Sequence, residues 1–443
     1  MAAVIGIRRE DKNKWERRVP LSPDAVARLR ERTGARVIVQ PSPIRVFTDD
    51  EYHAKGAEVS EDLSPASVVI AVKEVPLALF ERGTTYVFFA HVIKGQAHNM
   101  PMLERLLELG CTLVDYEKIT DAGNRRLVFF GVDAGHAGMI DTLWCLGQRL
   151  RHDGLVTPLA EVRRAYEYRD LADARAHLKQ VGGQMLRQRP DERVGPLVIG
   201  ISGYGNVSRG CQEILDCLPV SECEVADLPD AAAQVSSPSA PFIKVIFKES
   251  DMVEPTTAGT RFELADYYQH PERYRGTFER HLPHLDVLVN TIYWESRYPR
   301  LVTRDWVKRT YGKGKRPRLR VIGDISCDTE GSIEVNLHAA EPEAPCYVYD
   351  PATDQVALGV EGDGPVILAV DNLPCELPRE ASEHFSEMLF GFVADMAAAD
   401  WSVDFDALDL PDALKRAVVV HRGALTPRFH YLRLHLERAR ARR

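Results

Sequence analysis

The sequence predicts an α/β protein of two domains built on parallel sheets, and three observations carry that expectation. Short apolar runs alternate with helix-patterned segments from the amino terminus onward. Several of those runs are continuously apolar, as suits strands buried on both faces. The stretch PLVIGISGYGNVSRG, residues 196 to 210, passes from an apolar run through Gly203 and Gly205 into a helical segment. At 443 residues the chain exceeds one ordinary core, so two domains of roughly 150 to 250 residues are expected.

Taken in order, Val4 to Ile7 reads as the first strand and ends in Arg8, Arg9, Glu10 and Asp11. Ser22 and Pro23 open a helix as cap and first residue, Asp24 sits in its favourable first turn, and Gly34 closes it. Arg17 and Arg18 precede that cap, in a loop of the kind that carries binding groups. After the strand Arg36 to Gln40, the run Val68 to Val72 delivers Lys73 and Glu74, and TYVFFAHVIKGQ delivers His91 and Lys94. Parallel strands that finish this way bring their end groups to one sheet edge, where α/β ligand crevices form. Cys111 to Tyr116 is a third such strand, followed by Glu117 and Lys118, and RRLVFFG, beginning at Arg125 and Arg126, is expected as another. AGHAGMIDTLWCLGQRLRHDG is a helix expected to cross between the domains, and a polar piece from Pro158 to Pro190, with a helix near Leu171 to Val181, leads on to the glycine turn.

In a dinucleotide-binding unit the first glycine makes the turn, the second lets backbone approach a pyrophosphate, and a third small residue lets helix pack on strand. Here Ser208 takes the third place, and Asn206, Val207 and Ser208 begin the helix whose N–H groups face an anion. The pattern by itself also fits an ordinary strand-to-helix turn. Glu222 to Ala226 is expected as the next strand, with Glu224 and Asp227 as candidates for a ribose hydroxyl, and residues 230 to 241 as a loop. Ile243 to Phe247, Val287 to Ile292 and Val321 to Ile325 are further strands, the last placing Asp324 and Asp328 at its carboxyl end. GKGKRPR reads as a basic surface loop, VILAVDNLP as a strand and turn, ASEHFSEMLFGFVADMAAA as an amphipathic helix, and LRLHLERARARR as a basic helix or tail of unassigned role.

Composition excludes several classes. A net charge of -9 argues against a nucleic-acid binder, whose phosphate contacts need a concentrated basic surface. No run reaches the roughly 20 apolar residues of a membrane span, and MAAVIGIRRED lacks a signal pattern. The eight cysteines include no Cys-x-x-Cys pair, so no metal is expected and they read as reduced thiols of a cytoplasmic protein.

The combination RREDKNKWERRVPLSP, AVKEVP, FFAHVIKGQ, VDYEK, GYGNVSRG, GDISCDTEGSIE and VDNLPCELPREAS resembles the lysine–2-oxoglutarate reductase family, the lysine-forming saccharopine dehydrogenases. More distantly it is similar to alanine dehydrogenases and the transhydrogenase domain. The resemblance implies two Rossmann-like domains with a cleft between them: a substrate domain from 1–135 and 371–443, and a dinucleotide-binding domain over 136–370. Carried over by motif, Lys73 and His91 are the acid–base pair. Arg18 and Arg126 are substrate carboxylate contacts, and Glu74 and Glu117 tune the pair and orient the amine. Gly203, Gly205, Asn206, Val207 and Ser208 hold the cofactor, NADPH or NADH, with Asp324 and Asp328 beside its nicotinamide. The implied partners are lysine and 2-oxoglutarate; another amine, another oxoacid or a non-catalytic sensor stay open, as does self-association.

Overall fold

The computed structural model describes residues 3–187, 195–233, 241–312, 315 and 317–442. The chain divides into two compact units, Met1–Phe130 with Pro378–Arg443, and Gly131–Leu377. The helix Gly131–His152, expected to cross between domains, therefore lies whole in the second unit. The expected borders at 135/136 and 370/371 lie a few residues away, the first inside that helix.

The first unit begins with β1 (Val4–Ile7), β2 (Arg36–Val39), β3 (Glu58–Val59), β4 (Val68–Ile70), β5 (Thr85–Phe88) and β6 (Thr112–Asp115). These six run parallel in the order β3-β2-β1-β4-β5-β6. Ile5, Ile7, Val68, Ile70, Val87 and Phe88 are fully buried, which is what continuous apolar runs in a covered sheet require. The helix Pro23–Thr33 starts where the Ser22 hydroxyl accepts the Ala25 N–H at 3.3 Å and stops at Gly34, whose φ of 69° suits glycine. Strand order reverses between β1 and β4, so the loops after these two strands diverge and open a crevice at their carboxyl ends.

RRLVFFG forms no strand. Asn124, at φ 61°, closes a tight turn, one bridge joins Thr120 to Arg126, and the Phe130 ring stacks on Phe385 at 4.3 Å. Aromatic burial against the helix Pro378–Ala398 wins over a further sheet edge.

The second unit contains β7 (Leu197–Ser202), β8 (Val220–Glu222), β9 (Phe242–Phe247), a small antiparallel ribbon of β10 (Val253–Pro255) and β11 (Tyr274–Gly276), then β12 (Val287–Asn290), β13 (Val321–Asp324), β14 (Cys346–Asp350), β15 (Gln355–Leu358) and β16 (Val366–Leu368). Its sheet order is β15-β14-β16-β13-β12-β7-β9-β8, parallel from β16 to β8 and antiparallel at β14 and β15. The strand expected over Glu222 to Ala226 is thus shifted to Val220–Glu222, is only three residues long, and lies at the outer edge; Val225–Asp227 is a 3-10 turn. Its exposed Ser221 and Glu222 leave it little to bury.

The helix Asn206–Leu215 packs on Gly131–His152 at backbone distance. A Cβ on Gly210 would meet the Val132 carbonyl oxygen at 2.1 Å and the Gly135 Cα at 3.1 Å, and one on Gly135 would meet the Val207 carbonyl oxygen at 2.1 Å. The close approach expected of Ser208 against the strand is therefore made by Gly210, helix on helix, while Ser208 is simply buried.

The chain returns to the first unit through Pro378–Ala398 and adds β17 (Val418–His421) antiparallel to β6, with β18 (Ala424–Leu425) beyond it. The basic carboxyl-terminal segment is helical over Leu432–Arg440. Of the expected loop 230–241, residues 230–233 complete the helix Leu228–Ala233 and 234–240 lie outside the described residues, as do 313, 314 and 316 of the basic run and 188–190 of the polar piece.

Candidate active site

At the crevice of the first unit, Glu10 follows β1 and reaches over β4: its two oxygens accept the N–H groups of Val72 at 2.6 Å and Lys73 at 3.0 Å. Burial, and then the nearby Glu16 charge, push the Glu10 carboxyl up to about 7. Glu16 is forked to Arg18, which donates through Nε at 2.8 Å and Nη2 at 2.6 Å, and both side chains are at most 2% exposed. The Arg18 guanidinium lies 4.3 Å from the Phe130 ring centre. Arg18 is thus a buried, paired cation and not one presented to solvent. Its field reaches Lys73, where burial lowers the ammonium pKa, Arg18 lowers it further, and Glu16 opposes both.

One strand further on, His91 sits in the left-handed region at φ 50°, a conformation that costs energy for a residue with a side chain. It is held there from two directions: Asn99 donates to its carbonyl at 3.0 Å, and its Nδ1 lies 2.6 Å from Glu74 Oε1. Burial alone would raise Glu74, but the hydrogen bond from His91, its own backbone N–H, and the charges of His91 and Lys12 hold it down to about 2. A carboxylate can only accept, so Nδ1 carries the hydrogen in this pair and Nε2 is left for proton exchange. Glu117 follows β6, and Arg126 pairs with it at 2.7 Å with half of the arginine exposed. Lys73, Glu74 and His91 therefore gather at one edge of the first unit's sheet, joined by the pair Glu117–Arg126.

In the second unit the strand order reverses between β7 and β12. Gly203 follows β7 at φ 93°, and a Cβ there would lie 3.1 Å from Thr291 Oγ1. Gly205 caps the helix without a side-chain acceptor, and nothing lies within 4 Å of where its Cβ would be. An uncapped helix start beneath open space, with Asn206 exposed and Val207 half-buried, fits the pyrophosphate of a dinucleotide. Asp324 is buried at the end of β13, accepting from Asn290 at 2.8 Å and Asn336 at 2.7 Å; burial raises it to about 6 against these donors. It braces the strand ends, while Asp328 is exposed on the following turn.

Sequence reasoning misses four carboxylates. Glu10 and Glu16 face their partners only through irregular loops, so no periodicity marks them. Asp115 lies within the expected strand Cys111 to Tyr116 with nothing to single it out, yet it is fully buried. Glu249 follows β9, the strand beside β7, whereas Glu224 and Asp227 lie beyond the edge strand β8. The signal is the apolar run: β9 is six residues long with five buried, β8 three residues long with none buried. Glu249 accepts the Tyr268 hydroxyl at 2.5 Å, and its charge reaches Tyr204 in the glycine loop. Among the described residues, no group of three or more His, Cys, Asp or Glu side chains is placed to hold a metal ion, and no helix is long and apolar enough to cross a membrane.

Comparison with known proteins adds kinship. Residues 6–137 match the alanine dehydrogenase/PNT N-terminal domain and residues 224–428 the alanine dehydrogenase/PNT C-terminal domain. The chain is 38% identical over 446 residues to alpha-aminoadipic semialdehyde synthase of Arabidopsis thaliana, covering 97% of this chain and 41% of that one. Against the mitochondrial enzyme of that name from Bos taurus it is 34% identical, covering 97% and 47%. The chain thus spans less than half the length of these relatives. A Neurospora crassa saccharopine dehydrogenase (NAD(+), L-lysine-forming) is 28% identical over 402 residues, covering 87% of this chain and 89% of that one. Among solved structures an L-alanine dehydrogenase superposes with a TM-score of 0.62 at 18% identity, covering 98% and 99%, a likeness of fold.

Proposed function

This chain belongs to the alanine dehydrogenase/PNT family, both of whose domains it carries, and from that premise we propose that it is an NAD(P)H-dependent reductase condensing L-lysine with 2-oxoglutarate to saccharopine, reversibly. The observation that carries the reading is the cluster of Lys73, Glu74 and His91 at one sheet edge, with a destabilised lysine ammonium and a carboxylate-oriented histidine. Coverage supports it. The part of the longer relatives that this chain spans is matched by a separate lysine-forming dehydrogenase over nearly its whole length.

Joining an amine to a 2-oxoacid forms a carbinolamine that must lose water, which needs a base for the amine and a proton donor at the leaving oxygen. Lys73, eased toward its neutral form, takes the first part, and His91 Nε2 moves the second proton while Glu74 fixes the ring. Arg18 acts through Lys73, and Arg126 supplies the outer carboxylate contact. When bound, the reduced nicotinamide supplies the hydride. Gly203, Gly205 and the start of the helix Asn206–Leu215 hold its pyrophosphate.

The test is the product formed from lysine, 2-oxoglutarate and NADH or NADPH, identified by mass. Saccharopine is expected, and 2-oxoglutarate should beat pyruvate by roughly tenfold to a hundredfold, the effect of losing one charge-assisted hydrogen bond of about 1.5–3 kcal/mol. Faster oxidation with ammonia and pyruvate would replace the reading with alanine dehydrogenation. For the cofactor, Glu249 offers a carboxylate to a ribose diol and repels a 2′-phosphate, so NADH should bind more tightly than NADPH. Glu249→Ser should narrow that ratio by about tenfold in paired titrations; an unchanged ratio would remove Glu249 from the choice.

A further inference from the structure

We infer that Tyr431 is a positioning residue, through which the basic carboxyl-terminal segment fixes the loop that carries His91. That loop, residues 91–99, follows β5 and leads into the helix Met100–Glu108. Within it the Gly95 N–H donates to the Val92 carbonyl at 2.9 Å, the Asn99 N–H to the Gln96 carbonyl at 3.0 Å, and the Asn99 side chain to the His91 carbonyl. These bonds close the loop on itself and tie its middle to nothing else. The Tyr431 hydroxyl does that: it donates to the Ile93 carbonyl at 2.6 Å, two residues after His91. Beside it the His435 ring covers Gly95, at φ 67°, so closely that a Cβ there would come 2.1 Å from Nδ1.

The segment that carries Tyr431 is itself anchored on both sides. Before it, the Thr426 N–H donates to the Val419 carbonyl at 3.1 Å and the Thr426 hydroxyl to the Val418 carbonyl at 2.7 Å, both in β17, which pairs with β6. After it, Arg440 pairs with Glu104 of the helix Met100–Glu108 at 2.6 Å. Between these points Phe429, Leu432, Leu436 and Ala439 bury one stripe, while the arginines at 433, 438 and 440 face solvent. Tyr431 is nearly half exposed, so its ring adds little to the core, and its hydroxyl acts on the loop. The geometry at His91 gives that contact a purpose. A non-glycine residue at φ 50° stays there only when its surroundings over-determine it. Asn99 holds its carbonyl, Glu74 holds its ring, and Tyr431 holds the chain just beyond. Relaxation of His91 toward an ordinary φ would swing the residues that follow and break the bond to Ile93.

The inference takes the role of His91 from the proposed reaction, but its first test needs no substrate. Hydrogen exchange of peptides covering residues 91–99 is read by mass spectrometry in the full chain, unmodified and with Tyr431→Phe. Exchange there is expected to quicken by roughly tenfold once the hydroxyl is gone, while the helix Pro23–Thr33 and the melting temperature stay as they were. Unchanged exchange over 91–99 would overturn the inference. An equal rise in both regions would overturn it too, since the hydroxyl would then serve general stability. Turnover is the second readout: kcat with lysine and 2-oxoglutarate should fall by roughly tenfold, with KM and nucleotide affinity little changed, as misplacement of a reacting group does. Faster exchange with undiminished kcat would remove Tyr431 from positioning. If Tyr431→Phe does not fold, His435→Ala, which strips the ring from Gly95, is read in the same way with the same expected outcomes. A wrong choice of substrate would leave the unmodified chain without turnover and the exchange result intact, so the two failures are distinguishable.

Discussion

Lys73→Met and His91→Gln are each expected to lower turnover by roughly 100-fold to 10,000-fold, the range for removing a general acid or base. The expectation rests on what surrounds the two side chains. Lys73 follows a buried strand, and burial and the Arg18 charge both disfavour its ammonium, so a larger share is neutral near pH 7 than for a free lysine. Its backbone N–H is already held by Glu10, so methionine keeps the main chain in place and removes only the titrating nitrogen. At His91 the ring is aimed by Glu74 through Nδ1, and glutamine cannot carry a proton between two states. Glutamine also inherits the φ of 50°, so a thermal melt accompanies the assay. Nucleotide affinity, which the proposed reading assigns to the other unit's glycine loop, should hardly change. Full turnover in both variants would take the pair out of the mechanism.

Gly205→Val should abolish dinucleotide binding in a chain that still folds. The two halves of that statement have separate causes. Folding is spared because Gly205 has an ordinary φ of -78° and no atom within 4 Å of a built Cβ, so the first carbon of a side chain there has room. Binding is lost because that empty space lies over the uncapped N–H groups of the helix Asn206–Leu215, where a pyrophosphate must come close. Gly203 is the contrasting site: at φ 93° any side chain is strained and would press on Thr291, so its replacement mixes folding with binding. Titration with NADH and with NADPH reads the result, and unchanged affinity for both would reduce the glycine loop to a turn.

The placement of the strand-end residues is legible because continuous apolar runs mark buried parallel strands and the next residues must then emerge at the crevice. Lys73 and His91 are found that way, and Gly203 by its turn. What was hidden depends on contacts between distant or irregular pieces. Glu16 meets Arg18 only because an irregular loop turns two nearby side chains together, and no regular period predicts it. β17, from beyond residue 400, pairs with β6, and nothing local announces an antiparallel partner. The nucleotide strands were misread because sequence order was taken for spatial order: β8 follows the glycine helix in the chain, yet β9 lies beside β7. Tertiary packing also overrode local preference at RRLVFFG, where β-prone aromatics went to the helix Pro378–Ala398 and not to a sheet.

The touching backbones of Gly135 and Gly210 make the second unit stiff in one direction. Two helices separated by side chains can absorb a small push by rotamer changes, but here carbonyl oxygens and α-carbons already stand where a methyl group would go. The helix Gly131–His152 opens the unit directly after Phe130, where the chain leaves the first one. The starts of that helix and of the helix Asn206–Leu215 are therefore set against each other by backbone alone, with no side chain between them to take up a change. Adding one methyl at either glycine acts as a wedge between the two helices, and one of them must shift to admit it.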